Sequence, residues 1–349
     1  PLAGLVLHAM GGAVRSEDAG KIALATLKGI AAGTPGPTGA AVAQALLGAW
    51  DEGVAWESFA GASDRALGHL ADPLAELARA ASSAPATSQD QSKVARGFLE
   101  QISRGGGPLE QAAGSALVAA ANQGMTWEGY RAALSATFGL LPGSLAPLAL
   151  ACMDAGSTEM EQGKIGYAFA RTLGRPDIPA AMLDVSDQGI GWEAYVQVLR
   201  QGYRAMPDSL LARVGQAAME ATSGPADNPG KLGRAFMRAC RDKSSVLQAY
   251  REAANEGLTW ENYAAALEAG RQVLLASPDL PAGVRDHLDR FTPPPDAVSR
   301  ARALEALLEA VGDMEEVLRL VEPPAHGGIE EQEEAVLVGG VRVKKRDEA

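Results

Sequence analysis

The pair Gly163-Lys164 is the first candidate for chemistry, because a glycine followed by a lysine occurs in loops that bind phosphate groups. Such a loop has the pattern GxxxxGK[ST], in which the final hydroxyl contacts a magnesium ion. Here Ile165 follows the lysine, Leu232 follows the equivalent pair at 230–231, and no buried strand precedes either pair. We therefore interpret both pairs as helix starts and not as phosphate sites.

The histidine, cysteine and carboxylate residues form no recognisable catalytic or metal-binding pattern. The four histidines are scattered without HExxH spacing, and His326-Gly327-Gly328 resembles an oxyanion loop but has no GxSxG motif to accompany it. Cys152 and Cys240 lack CxxC spacing, which favours two buried thiols in a reducing, cytoplasmic compartment. We expect no catalytic residue, no metal and no cofactor, which favours a protein that is not an enzyme without deciding the question.

A glycine, a Trp-Glu pair and an aromatic residue recur four times at fixed offsets, a pattern that we call the tryptophan motif. Its copies are GVAWESF at 53–59, GMTWEGY at 124–130, GIGWEAY at 189–195 and GLTWENY at 257–263. An aromatic box could grip a cofactor or a methylated lysine, but four evenly spaced copies argue against a single site. We predict structural roles for Trp56, Trp127, Trp192, Trp260, Phe59, Tyr130, Tyr195 and Tyr263.

A second pattern, the lysine motif, has the same period and consists of Gly-Lys or Ser-Lys before an apolar stripe. It occurs at 20–21, 92–93, 163–164 and 230–231. The two motifs define a unit of about 68 residues, and such periodicity is typical of repeat proteins. We divide the chain into the last helix of a truncated preceding repeat (1–15), repeat 1 (16–85), repeat 2 (86–155), repeat 3 (156–222), repeat 4 (223–292), a cap helix (293–322) and a tail (323–349). We expect either that the natural protein extends further towards its N-terminus or that the first repeat is only half built.

Each repeat is predicted to contain four short helices. The first starts at the lysine motif, and the second ends at the glycine of the tryptophan motif, because glycine adopts a left-handed conformation without steric cost. Thr126 is predicted to be the N-cap of the third helix, with Met125 and Tyr130 at the positions of a hydrophobic staple. Ala55 takes the cap position in repeat 1, where we expect this helix to start least firmly.

These features predict an all-α fold arranged as an α-solenoid of about four repeats of about 68 residues, each with four helices in two hairpins. Units that are too small to bury their own apolar face are stabilised by stacking on their neighbours. A divergent C-terminal cap helix and a short β-hairpin or extended tail would follow the last repeat. A closed two-domain helical bundle is the competing architecture.

The tail carries the sequence EEAVLVGGVRVKKR, in which two glycines at 339–340 separate β-branched runs. This pattern predicts a hairpin over 333–346. The tail would dock on the repeats, add a strand to the sheet of a partner, or stay flexible. Its candidate partner-binding residues are Val336, Val338, Val341, Val343, Lys344, Lys345 and Arg346.

The net charge of -12 and the pI near 4.9 argue against nucleic-acid binding, which depends on a surplus of lysine and arginine. No apolar run is long enough to span a membrane. We therefore expect a helical-repeat scaffold or adaptor whose solenoid surface or tail binds a protein partner. The alternatives are a small-ligand-binding protein or enzyme with a pocket between repeats, and a regulatory protein whose tail is released by proteolysis.

Overall fold

A computed structural model describes residues 2–31, 38–143, 145–175, 177–278 and 280–312 of the chain. This part of the protein forms eighteen α-helices and contains no strand, which confirms the predicted all-α class for the described residues. The predicted hairpin at 333–346 and the last part of the predicted cap helix (313–322) lie outside these residues.

Four helices lie within each predicted repeat, after the initial helix α1 (Leu2–Gly11). Repeat 1 contains α2 (Ser16–Ala31), α3 (Thr38–Asp51), α4 (Trp56–Leu67) and α5 (Pro73–Ser83). Repeat 2 contains α6 (Ser88–Ser103), α7 (Leu109–Asn122), α8 (Trp127–Phe138) and α9 (Leu145–Met153). Repeat 3 contains α10 (Glu159–Thr172), α11 (Ile178–Asp187), α12 (Trp192–Arg204) and α13 (Leu210–Ala221).

Repeat 4 has the same order of elements and is followed by one more described helix. It contains α14 (Asp227–Asp242), α15 (Val246–Asn255), α16 (Trp260–Ala276) and α17 (Ala282–Asp289), and α18 (Ala297–Gly312) comes after it. The start of α18 follows the prolines at 293–295, which cannot continue a helix.

The first helix of a repeat begins before the lysine motif, so the prediction that it starts at that motif was wrong. α6 begins at Ser88 because the hydroxyl of Thr87 accepts a hydrogen bond from the backbone N–H of Asp90. Thr158 caps α10 in the same way. The lysine motif therefore lies in the second turn of the helix, where its side chains face other elements and do not form the cap.

Among the described helices, those at equivalent positions of the predicted repeats pack in similar pairs. The fourth helix of one repeat packs on the third helix of the next, as α5 does on α8, α9 on α12 and α13 on α16. α1 packs on α4 in the equivalent way. The second helix of one repeat also packs on the first helix of the next, as α3 does on α6 and α7 on α10.

Small residues allow these helices to approach closely. A Cβ atom added to Gly114 of α7 would lie 2.3 Å from the carbonyl oxygen of Ala170 in α10, so only glycine fits there. Gly97 of α6 has the same relation to the carbonyl of Ala116 in α7, at 2.4 Å. The abundant alanines of the core thus serve close packing as well as helix formation.

The chain divides into two compact units, and the division falls inside the segment predicted as repeat 3. The first unit comprises Pro1–Ala205 and Pro225–Gly230, and the second comprises Met206–Gly224 and Lys231–Ala349. The first unit therefore holds α1 to α12, and α13 belongs with the second unit, where it packs on α16.

Candidate functional site

The tryptophan motif forms the start of the third helix of each repeat, and its tryptophan is the first helical residue. The aromatic residues at the end of the motif are at most 3% exposed, and they are Phe59, Tyr130, Tyr195 and Tyr263. Burial raises the pKa of the Tyr130 hydroxyl, which has no hydrogen-bond partner among the described residues. These rings are core residues and not parts of an open aromatic box.

The glycine and the cap residue of the motif have the predicted conformations. The four glycines that end the second helices have positive φ angles, from 65° at Gly189 to 86° at Gly257. The hydroxyl of Thr126 accepts a hydrogen bond from the N–H of Gly129 at 3.1 Å, which confirms it as an N-cap. Ala55 provides no side-chain cap in repeat 1, as its type predicts.

In repeats 1 to 3 the lysine of the lysine motif caps the end of the second helix within the same repeat. Its ammonium group donates a hydrogen bond to the carbonyl of the glycine that starts the tryptophan motif. The Nζ–O distances are 3.0 Å from Lys21 to Gly53, 2.7 Å from Lys93 to Gly124 and 3.3 Å from Lys164 to Gly189. Carbonyls at a helix end have no partner within the helix, and a cation there also interacts favourably with the helix dipole.

A carboxylate three residues before each of these lysines contacts the same turn, on the side where the third helix begins. It accepts a hydrogen bond from the backbone N–H of the cap residue of the third helix. The N–O distances are 3.4 Å from Ala55 to Asp18, 3.2 Å from Thr126 to Asp90 and 3.1 Å from Gly191 to Glu161. The repeated spacing of acid and lysine was visible in the sequence, but only the fold shows that both face one turn.

Repeat 2 has the most complete version of this arrangement. Asp90 is 2% exposed and also accepts a hydrogen bond of 2.6 Å from the Thr126 hydroxyl, which in turn caps the third helix. A Cβ atom added to Gly129 would lie 2.5 Å from the Asp90 carboxylate. The absence of a side chain at Gly129 therefore makes room for the carboxylate.

In repeats 2 and 3 the tryptophan lies on the glycine of the lysine motif in the next repeat. A Cβ atom added to Gly163 would lie 2.7 Å from the ring of Trp127, and one added to Gly230 would lie 2.3 Å from the ring of Trp192. The benzene ring of the indole thus contacts the helix at a residue that has no side chain. The two motifs are connected twice, within a repeat by hydrogen bonds and between repeats by this contact.

These contacts give Lys164 and Gly163 structural partners and explain the motif without a phosphate ligand. The lysine donates to the Gly189 carbonyl, and the glycine is covered by an indole. The interpretation of these residues as structural is consistent with this geometry.

The fold brings together two histidines that the sequence spacing kept apart. The rings of His8 in α1 and His69 after α4 lie 4.0 Å apart, beside a cavity of about 560 Å³. The Nδ1 atom of His8 lies 2.8 Å from the carbonyl oxygen of Gly4. No third His, Cys, Asp or Glu joins them into a metal-binding group within the described part of the chain.

The two cysteines differ in their surroundings. Cys152 is buried among apolar residues, and burial raises the pKa of its thiol to about 12. Cys240 is only half-buried. The interpretation of a buried thiol thus fits Cys152 better than Cys240, and at neutral pH Cys152 stays protonated and unreactive.

A second cavity of about 580 Å³ lies among α6, α7 and α10, and its lining is largely polar. It includes Arg104 and Arg175, which lie just beyond the ends of the first helices of repeats 2 and 3. Sequence analysis did not identify these arginines, because their meeting depends on the packing of α7 against α10.

The remaining candidate residues, Val336, Val338, Val341, Val343, Lys344, Lys345 and Arg346, lie outside the described residues. None of the described helices combines the length and apolar character that a membrane crossing requires. No protein-family model, curated protein or solved structure matches the chain.

Proposed function

We propose that this protein is a non-catalytic helical-repeat scaffold or adaptor that binds a protein partner. The observation that carries this proposal is the exposure of the tryptophans at the same position in different repeats. Trp56, Trp127 and Trp260 are 38%, 42% and 46% exposed, although large apolar side chains are normally buried.

Each exposed indole lies beside an exposed carboxylate. Glu57, Glu128 and Glu261 follow the tryptophans directly and are exposed in the first turn of the same helix. Tryptophan is enriched at the centres of protein interfaces, where its large ring and its N–H group both find partners. A repeated Trp-Glu pair therefore suits contact with apolar and basic groups of a partner.

We also propose how the repeats are arranged. Recurrent packing of the fourth helix on the third helix of the next repeat supports an α-solenoid, in which each repeat contacts its neighbours. The acidic balance of the chain argues against a nucleic-acid partner. The two cysteines without CxxC spacing support a location in the cytoplasm. The tail residues at 336–346 are a second candidate contact, and release of the tail by proteolysis remains an alternative.

The test is quantitative affinity purification of the tagged full chain. We expect a stoichiometric protein partner whose recovery falls at least ~10-fold for the Glu57→Arg/Glu128→Arg variant, since like charges at a contact are unfavourable. Glutamates are the better target, because replacing Trp127 would also disturb its packing on Gly163.

A matched control is the variant Glu76→Arg/Asp154→Arg, which makes the same charge change at exposed positions away from the motif. A further variant without residues 327–349 tests the tail. If no stoichiometric protein co-purifies, or if recovery is unchanged in both the motif variant and the tail deletion, the scaffold proposal is wrong.

A second candidate function, binding of a small ligand between repeats, is favoured by the polar cavity among α6, α7 and α10.

A further inference from the structure

The cavity among α6, α7 and α10 lies between repeats 2 and 3, within the first compact unit. One wall is a polar stripe of α7 formed by Gln111, Ser115 and Asn122, whose helical spacing places them on one face. None of these three side chains has a hydrogen-bond partner within the described residues. The wall thus offers amide and hydroxyl groups to a ligand.

Three arginines are also among the residues that line the cavity. Arg104, Arg171 and Arg175 line the cavity, with Glu100 as its only carboxylate among the described lining residues. Glu100 is paired with Arg96 at 3.2 Å.

Two of the three arginines remain for a ligand. Arg171 is paired with Asp184 at 2.9 Å. Neither Arg104 nor Arg175 forms an ion pair within the described part of the chain. In a protein of net charge -12, two such arginines beside one cavity form a local positive site.

The two arginines depart from the repeat pattern. Each stands at the same offset beyond its lysine motif, where repeats 1 and 4 have Ala32 and Asp242. The arginine pair therefore exists only between repeats 2 and 3.

The polar wall brings no carboxylate to the cavity. Asn122 stands where repeats 1 and 3 have Asp51 and Asp187 and repeat 4 has Asn255, so this position is a neutral amide beside the two arginines. Two cations next to a neutral wall favour a negatively charged ligand.

We propose that this cavity binds a small oxyanion, and that Arg104 and Arg175 are the principal residues that contact it. A planar guanidinium donates paired hydrogen bonds to a carboxylate or a phosphate group with matching geometry. Two guanidinium groups at separate helix ends suit a molecule with two acidic groups. Gln111, Ser115 and Asn122 would bind its neutral polar atoms.

A purely structural role for the arginines makes a different prediction. Arginine at a helix C-terminus stabilises the helix dipole without any ligand. In that case the loss of Arg104 or Arg175 would lower stability slightly and no oxyanion would bind.

Isothermal titration calorimetry of the full chain with pyrophosphate and with citrate at low ionic strength distinguishes oxyanion binding from a purely structural role. We expect saturable binding of at least one probe, weakened at least ~10-fold by Arg104→Gln and by Arg175→Gln. Asn122→Asp should also weaken binding, because it places a carboxylate in the same cavity as the two arginines. The tighter probe identifies the ligand as phosphorylated or polycarboxylic.

Arg204→Gln is the matched control, since Arg204 is an exposed arginine in the last turn of α12 and away from the cavity. It should leave binding unchanged. The inference is overturned if neither probe shows saturable binding up to about 10 mM, or if Arg204→Gln weakens binding as much as the cavity variants. This outcome is independent of the scaffold proposal, which is tested by protein capture.

Discussion

Repeats 1 and 2 contain the same two motifs, but the contacts that the motifs make differ. In repeat 2 both oxygens of Asp90 accept hydrogen bonds from Thr126. In repeat 1 Asp18 makes one long contact of 3.4 Å with the Ala55 N–H, and its other oxygen has no partner among the described residues. The acid is present in both repeats, and the neighbouring cap residue decides how well it is bound.

The junctions between repeats differ in a similar way. Trp127 lies against Gly163 of the next repeat, but the position that faces Trp56 is occupied by Ser92, whose hydroxyl donates to the Trp56 carbonyl at 2.8 Å. The Trp56 ring packs edge-on against Trp50, with centroids 4.9 Å apart. The same position in a repeated motif therefore does not guarantee the same contact.

The largest difference between the repeats should appear on removal of the acid. Asp90→Ala should lower the free energy of unfolding by about 3 kcal/mol, since it removes two charge-assisted hydrogen bonds from a buried turn. Asp18→Ala should cost only about 1 kcal/mol, because its one contact is long. Urea unfolding of both variants measures the difference, and equal losses would contradict the comparison.

Replacing the glycine of the lysine motif by alanine should destabilise the protein in repeat 3 and stabilise it in repeat 1. Gly163→Ala should destabilise the protein by about 2 kcal/mol, because its Cβ would overlap the Trp127 ring. Gly20→Ala should stabilise it by about 0.5–1 kcal/mol, since Gly20 lies inside α2 with no atom within 4 Å of an added Cβ. Thermal unfolding followed by tryptophan fluorescence measures both, and effects of the same sign would disprove the packing argument.

Exchange of the cap residues should reduce the difference in stability between the turns of repeats 1 and 2. Ala55→Thr should stabilise the protein by about 1 kcal/mol, because the backbone at Ala55 already has an extended conformation that suits an N-cap. Thr126→Ala should destabilise it by about 1–2 kcal/mol. Chemical denaturation of both single variants provides the measurement, and a loss of stability in Ala55→Thr would show that repeat 1 cannot accept the cap.

Repeat 3 offers a smaller effect that depends on pH. Hydrogen bonds from Ser157 and from the N–H of Gly191 lower the pKa of Glu161 in the folded protein. A lowered pKa stabilises the fold above the unfolded-state pKa, and this contribution is lost as the pH falls through the folded-state pKa. Glu161→Gln should therefore be less stable than the parent at pH 7, and the difference should disappear on acidification.

The control for this pH effect is Glu128→Gln, since Glu128 is exposed and has no hydrogen bond from its side chain within the described residues. Its difference from the parent should stay small at both pH values. An unchanged difference for Glu161→Gln between neutral and acidic pH would show that the carboxylate is not responsible.

Much of the local structure was predictable because it depends on neighbouring residues. Gly124 and Thr126 mark the end of one helix and the start of the next through their own backbone preferences. The repeat period and the all-α class of the described residues follow from such signals. The start of α6 was misplaced because Thr87 was not recognised as its cap, although a threonine three residues before an acid is a typical signal.

The sequence alone determined that the motifs recur and where the second and third helices of each repeat meet, since caps and glycines act over a few residues. Only the tertiary structure decided that Lys93 and Asp90 hold opposite sides of one turn, and that Arg104 and Arg175 meet at one cavity. The physical reason is that these contacts join residues on helices far apart in the chain. Their distances depend on how closely α6, α7 and α10 pack, and no local preference specifies that.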